Sequence, residues 1–569
     1  MSVHWLEETV QEISKRALTE ITLSTGKTPS GHIHIGILRE IIICDALRRI
    51  FEMKGVNVSF YLFIDDFDAA KRFPYYIDKK YQKNNLGKPF ALIPCPFESC
   101  GCESYAYHFG NELISTFNAF GIKNEIIWTY ELYQKREMQE KIKIALENTN
   151  KIKEILKKFI LPTLDDDRKK LFNEMQKTWI PVMVICEKCN KIQNRAKDGS
   201  IQPNRAINYL KEEQAILYEC PACGYRGTTS IFSGRIKLNW RIDWPAKWAL
   251  FKTTCEPAGK DHSVKGGAYD TGIEICQEIY DYEGPIKLPY EWLRLGDQDM
   301  GTSKGIVFTP AKYLELADPE IYRMLILRTN PMKHISLRIE EIPQYHDYYE
   351  KMENIFYGVE KPESKDEYEF YKYLYPLTKV KAIPEFNPIR IPLKLLTFLS
   401  QMQNILSIDK LYEKAISSLG VTETRKSVSI EDFKVLLRRT ENWIKEVENK
   451  ITRITDPKIK KNILNKIDMF TIPDSIPKDL ISTLSDKQLK GLIMFKNYWQ
   501  GNDNPNADLI QNKIFTIAKE ELKIPPRKMF EAFYLLLLGK KSGPRLGPFI
   551  LMLDKDWFLK RLNQLKDKI

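Results

Sequence analysis

The sequence predicts an α/β unit with a parallel sheet, a cysteine-bearing insertion inside it, and an all-α C-terminal half. Three observations carry that expectation. A strand, a glycine turn, a helix and a second strand follow one another before about residue 75. Seven of the ten cysteines fall in two tight groups, at 95–102 and 186–223. After Tyr313 the apolar pattern turns helical and stays so.

The elements follow in order. Leu18 to Leu23 ends in the apolar–polar alternation of a short strand. It runs into the turn Ser24-Thr25-Gly26-Lys27-Thr28-Pro29-Ser30-Gly31. From His34 to Met53, Ile35, Leu38, Ile42, Leu47 and Ile50 recur at threes, fours and fives, a helical spacing. Val56 to Ile64 is apolar, aromatic and β-branched, a buried strand by length. That order is a parallel crossover. Residues 85–235 break the pattern with cysteines and a charged helical stretch, Gln134 to Phe172, and read as an insertion. Ile231 to about Thr309 returns to α/β character. Leu395, Leu399, Met402 and Leu406 then form a helical stripe. Ser429 with Asp432 opens another helix as a capping box would. Pro525-Pro526 and Gly539 bracket a last apolar helix. The expected divisions are 1–84, 85–235, 236–312, 313–390 and 391–569.

With 569 residues, 43% apolar and 28% charged, the balance is that of a globular protein of several domains. No stretch approaches the roughly 20 apolar residues of a membrane span, and the acidic N-terminus resembles no secretory or mitochondrial leader. A cytoplasmic location is expected. The net charge of +12 is compatible with a polyanionic partner.

Two stretches and two cysteine groups carry chemistry. Pro29-Ser30-Gly31-His32-Ile33-His34-Ile35-Gly36 combines small residues, which let a ligand approach the backbone, with a helix start, which offers free amides to phosphate. Two of only seven histidines sit there, placed to donate to phosphate oxygens. Trp240 to Asp243, Gly259-Lys260-Asp261-His262 and Gly266-Gly267-Ala268-Tyr269-Asp270 have the polar and glycine density of a site wall. The cysteine pairs Cys186-X-X-Cys189 and Cys220-X-X-Cys223 have the form of a structural tetrahedral zinc site. Cys95, Cys100, Cys102 and His108 are a less regular candidate for a second zinc.

His34-Ile35-Gly36 resembles the first three places of the HIGH signature of class I aminoacyl-tRNA synthetases, with Ile37 departing from the fourth. Gly26 to Gly31, Asp65-Asp66-Phe67-Asp68, Gly259 to His262 and Gly266 to Gly272 resemble the stretches that mark class I lysyl-tRNA synthetases. Asp299-Met300-Gly301-Thr302-Ser303-Lys304-Gly305 sits where that family has its KMSKS loop. Asp299 replaces the loop's first lysine. The likeness covers roughly 1–335 and returns at Gly543 to Phe549.

The resemblance implies a Rossmann-type nucleotide-binding catalytic domain. There the α-carboxylate of L-lysine attacks the α-phosphate of MgATP, and the terminal adenosine of tRNA(Lys) then takes the lysyl group. The residues expected to act on phosphate are His32, His34 and Lys304. ATP is expected along Pro29, Gly31, His34, Gly36, Gly259, Asp261, Ser303 and Lys304. Lysine is expected near Gly26, Thr28, Trp240, His262 and Tyr269. A carboxylate, Asp65 or Asp66, should offset an ammonium group, because a buried unpaired charge is costly. Residues 391–569 are expected to bind the tRNA. The rival readings are a class I synthetase for another amino acid and a zinc-bearing tRNA-binding paralogue without catalysis.

Overall fold

The computed structural model describes residues 4–196, 199–301, 307–419, 428–466, 470–476, 483–502 and 505–565. The chain forms two units. The first holds residues 1–314, 318–338 and 351–385, and the second holds 315–317, 339–350 and 386–569.

The first unit is built on five strands: β1 (Glu20–Lys27), β2 (Asn57–Ile64), β3 (Glu125–Trp128), β4 (Cys255–Gly259) and β5 (Ile286–Tyr290). Their spatial order is β5-β4-β1-β2-β3, and every neighbouring pair is parallel. β1 lies at the centre and pairs with β2 from Glu20 opposite Asn57 to Lys27 opposite Ile64. It begins and ends later than the alternation of Leu18 to Leu23 suggests. Ser24 and Thr25 continue it in a fully buried setting because each hydroxyl donates to a buried carboxylate, Ser24 to Glu256 and Thr25 to Glu40 at 2.6 Å. A paired hydroxyl is tolerated where an unpaired one is not.

The helix after the glycine turn starts with a 3₁₀ turn, Ile35–Ile37, and continues as α1 (Leu38–Met53). The crossovers on the far side of the sheet are α2 (Trp240–Phe251) before β4 and α3 (Ala268–Tyr280) before β5.

The span 85–235 is not insertion alone. It contains β3, four residues long and only partly buried, too short to show a period in sequence. The charged stretch becomes helices Arg136–Glu147 and Thr149–Ile160, with a further helix at Asp166–Thr178. Beyond them come short antiparallel strands, including the three-stranded Arg205–Leu210, Ala215–Glu219 and Arg226–Ser230. The chain after Tyr313 is likewise not helical throughout. Ile335–Leu337 pairs in parallel with Leu293–Leu295.

In the second unit the described elements past Phe386 are helices packed around one apolar core. Leu399, Met402 and Leu406 share that core, with Leu395 against it. The helix carrying the stripe nevertheless ends at Ser400. There the Ser400 hydroxyl and the Gln401 amide both donate to the Thr397 carbonyl, at 3.0 and 2.7 Å, which competes with helical bonding. The Ser429 side chain caps Ile430–Arg453 by accepting from the Asp432 amide. Gly539, at φ 65°, ends Pro526–Leu538.

α1 is anchored from inside. Asp45 is fully buried and lies 2.7 Å from Arg323, 2.8 Å from Arg48 and 2.8 Å from Arg49. Burial pulls its carboxyl upward, but the three guanidinium groups hold it below the usual carboxylate range. Arg323 also donates to the carbonyls of Leu377 and Phe120. Removing one partner of such a pair strands a buried charge. Arg323→Leu should therefore lose about 3–5 kcal/mol of stability, read from the urea midpoint of the full chain. A loss below about 1 kcal/mol would mean that water or a neighbouring arginine replaces Arg323.

Candidate active site

The carboxyl ends of β1 and β4 are adjacent, and the connections leaving them run in opposite directions along the sheet. Such a crevice is where open α/β sheets hold ligands. From β1 the chain passes through Lys27 to Gly31 and reaches the start of the 3₁₀ turn, with His34 as its first flanking residue. In the turn the Ile35 amide donates to the Phe308 carbonyl at 2.7 Å and the Ile37 amide to the His34 carbonyl at 3.3 Å.

His34 packs closely on Gly36. A Cβ on Gly36 would stand 2.8 Å from His34 Nδ1, so only glycine leaves the ring where it is. His34 Nδ1 is buried and has no hydrogen-bond partner. Burial, and then the charge of Lys27, push its pKa down to about 4. The ring is therefore neutral near pH 7, and one of its two nitrogens carries a proton to donate. His32 is held differently. Its amide donates to the Tyr76 hydroxyl at 2.8 Å, and Nδ1 lies 2.8 Å from Glu112. A cavity of about 280 Å³ opens beside His34, with Lys27, Ser30, Arg72, Phe73 and Gly301 on its walls.

The other expected residues divide into those brought to this crevice and those held behind it. Gly26 faces Asp65, whose Oδ2 would be 3.3 Å from an added Cβ. Asp65 Oδ1 accepts from Lys247 at 2.6 Å and from Thr129 at 3.1 Å. Asp66 accepts from the Tyr130 amide at 2.7 Å, and burial pushes its carboxyl up to about 7. Thr28 donates to Asp68 at 2.9 Å. Pro29 and Gly31 are buried in the turn. Gly259 begins the short helix Lys260–Ser263, which carries Asp261 and His262 exposed. His262 lies edge-on to Trp240 and Trp244, with ring centroids 5.7 and 5.9 Å away. Tyr269 is fully buried against Trp248, and its hydroxyl is within reach of the Glu256 and Ile286 carbonyls at 3.2 and 3.1 Å. Its ring, not its hydroxyl, is what it offers to a neighbour. Ser303 and Lys304 lie outside the described residues. Asp299, just before them, is paired with Arg294 at 2.8 Å.

Two groups could hold metal. The sulfurs of Cys186, Cys189, Cys220 and Cys223 lie within 4.8 Å of one another. Two of the separations, Cys186 to Cys223 and Cys189 to Cys220, are 3.6 Å. A tetrahedron with Zn–S bonds of about 2.3 Å has sulfurs about 3.8 Å apart, so the donors fit zinc. Cys95, Cys100 and His108 form the second group, while the Cys102 sulfur stands outside it.

The family described as tRNA synthetases class I (K) matches residues 3–378. The chain belongs to that family. It is an aminoacyl-tRNA ligase, with the class I fold around a parallel central sheet. Among its relatives, the lysine–tRNA ligase of Methanocaldococcus jannaschii is 33% identical, over 99% of this chain and 99% of its own. That of Methanococcus maripaludis is 32% identical and that of Archaeoglobus fulgidus 30%, each again over 99% of both chains.

Several buried charged residues near the crevice escape a reading by motif. Glu40 is buried in α1 and accepts from Thr25 and from the Tyr290 hydroxyl, and burial pushes its carboxyl up to about 7. Glu256 in β4 accepts from the indoles of Trp244 and Trp248, at 2.7 and 2.8 Å. Lys247 bridges Asp65 and Asp243. Each is a charged residue set within an apolar run, which is itself a signal because an isolated buried charge is not tolerated.

The contact between Gly36 and His34 has a direct test. Gly36→Ala should displace the imidazole and slow adenylate formation at least about tenfold, consistent with loss of a positioned donor. Thermal unfolding should stay near that of the parent. Single-turnover rates within threefold of the parent would show that the ring's position does not matter.

Proposed function

We propose that this lysine–tRNA ligase forms lysyl-adenylate in the crevice at the carboxyl ends of β1 and β4. The same crevice then passes the lysyl group to the terminal adenosine of tRNA(Lys). The observation that carries the reading is the glycine-backed His34 at a helix start on the strand-order reversal, within a chain that matches its family from residue 3 to 378.

In the first step a carboxylate oxygen of lysine bonds to the α-phosphorus of ATP. The bond to the bridging oxygen breaks, and pyrophosphate leaves with the electron pair. The protein's share is positioning and stabilisation of charge. His34, with one N–H, faces the phosphate chain. His32, steadied by Glu112, stands at its side, and Lys304 and Ser303 approach from the loop. Pro29, Gly31, Gly36, Gly259 and Asp261 border the nucleotide, and Mg²⁺ travels with ATP. Lysine lies along Gly26, Thr28, Trp240, His262 and the ring of Tyr269. Asp65 and Asp66 belong to this side. Glu40 is the stronger partner for an ammonium group. It is buried, its hydrogen bonds come from neutral hydroxyls, and a second cation beside it would add to the relief of its burial cost that the charge of Lys27 gives.

Zinc holds the Cys186, Cys189, Cys220 and Cys223 knuckles as a structural ion. A second zinc takes Cys95, Cys100 and His108, with Cys102 or water as the fourth ligand. The cytoplasm, where thiols stay reduced, suits both sets. The helical second unit contacts the tRNA.

Lysine, alone among the standard amino acids, should support ATP–pyrophosphate exchange, measured with and without tRNA. Exchange driven by glutamate or arginine instead would overturn the assignment. Protein never exposed to chelator should contain close to two zinc per chain by metal analysis. Cys186→Ser should remove one equivalent, and a preparation with no zinc would refute both sites.

A further inference from the structure

We propose that Lys27, with Arg72 at the rim, is the cation pair that holds the phosphate chain in the cavity beside His34. This rests on the adenylate-forming reading above and adds two cations to the residues expected to act on phosphate.

Lys27 is the last residue of β1, partly buried, with its side chain on the cavity wall together with Ser30 and His34. The acids whose charge reaches it are Glu40 and Asp65, and neither takes it as an ion-pair partner. Asp65 is 2.6 Å from Lys247, and Glu40 is held by Thr25 and Tyr290. Among the described residues, Lys27 therefore has no ion pair, although it is placed where desolvation penalises charge. Burial lowers its pKa, and an anion in the cavity would reverse that cost. Opposite it, Arg72 is exposed at the cavity edge.

The segment that borders the cavity through Gly301 brings no free cation of its own before residue 302. Its acid, Asp299, is neutralised by Arg294. The cations that the described residues present to the cavity are then Lys27 and Arg72. His34 is neutral and gives one hydrogen bond but no charge. A polyphosphate carries several negative charges, and a cavity that accepts it needs fixed cations on its wall. As the adenylate forms, the Lys27 ammonium donates hydrogen bonds to phosphate oxygens and keeps its proton. The bond changes remain those between the carboxylate oxygen, the α-phosphorus and the leaving pyrophosphate.

The alternative is that Lys27 only balances Glu40 and Asp65 from within. The two roles separate in one set of measurements on the full chain. Lys27→Met should slow single-turnover adenylate formation about 100-fold, while the dissociation constant for lysine does not rise. Lys27→Arg should recover most of the rate. Arg72→Ala, at an exposed position, should weaken binding of inorganic tripolyphosphate about tenfold by calorimetry, and Lys27→Met should weaken it at least as much. A Lys27→Met rate within threefold of the parent, or an equal fall in rate and lysine affinity, would overturn the proposal. Should Lys27→Met not fold, unchanged tripolyphosphate binding by Arg72→Ala would overturn it instead. Tripolyphosphate binding involves neither amino acid nor tRNA, so it fails or succeeds apart from the substrate assignment.

Discussion

Parallel pairing of β1 with β2 on one edge and with β4 on the other forces the connections at its carboxyl end to diverge. A right-handed crossover from β1 must cover one face of the sheet, and the crossover that serves β4 must cover the other. The gap left between them is lined by whatever follows β1 and β4. In this chain those segments are the Lys27 to Gly36 turn and Gly259 to His262. Site residues more than 200 positions apart in sequence are thereby brought to one edge of one sheet.

The gap is surrounded by buried charge that is almost all answered. Lys237 meets Asp68, Lys247 meets Asp65 and Asp243, and Glu256 collects two indoles and a serine. Such networks hold shape when complete and are costly when broken. Among the described residues, those left incomplete are Glu40, which has hydroxyl partners and no ion pair, His34 Nδ1, which has no hydrogen-bond partner, and Lys27, which has no ion pair. All three lie at the carboxyl end of β1 or between it and the end of α1.

The crossover at the N-terminus, the helix start at His34 and both cysteine groups were legible because each rests on a local pattern. Periodicity marks an element whose partner is simply the core, and a Cys-X-X-Cys pair marks a knuckle whatever surrounds it. β3 and Ile335–Leu337 were hidden, since three or four residues cannot display a period of two. The end of β1 was hidden for another reason. Ser24 and Thr25 look like turn residues until the carboxylates that satisfy them, 232 and 15 positions away respectively, are in place. Cys102 shows the converse limit: it stands beside Cys100 in sequence, yet its sulfur is outside the donor set that Cys95 and His108 complete. Spacing told which thiols were near one another but not which way each would point.

The arginine cluster around Asp45 bears on how the protein responds to salt. Mobile ions screen exposed charges over about 8–10 Å but reach buried pairs poorly. Contacts to a polyanion on the surface weaken steeply as salt rises, because the gain from releasing its condensed counterions shrinks. Raising ionic strength should thus detach nucleic acid while α1, pinned through Asp45, keeps the helix start and His34 in register. Salt is then expected to loosen contacts to polyanions, ATP among them, before it disturbs the fold that holds His34.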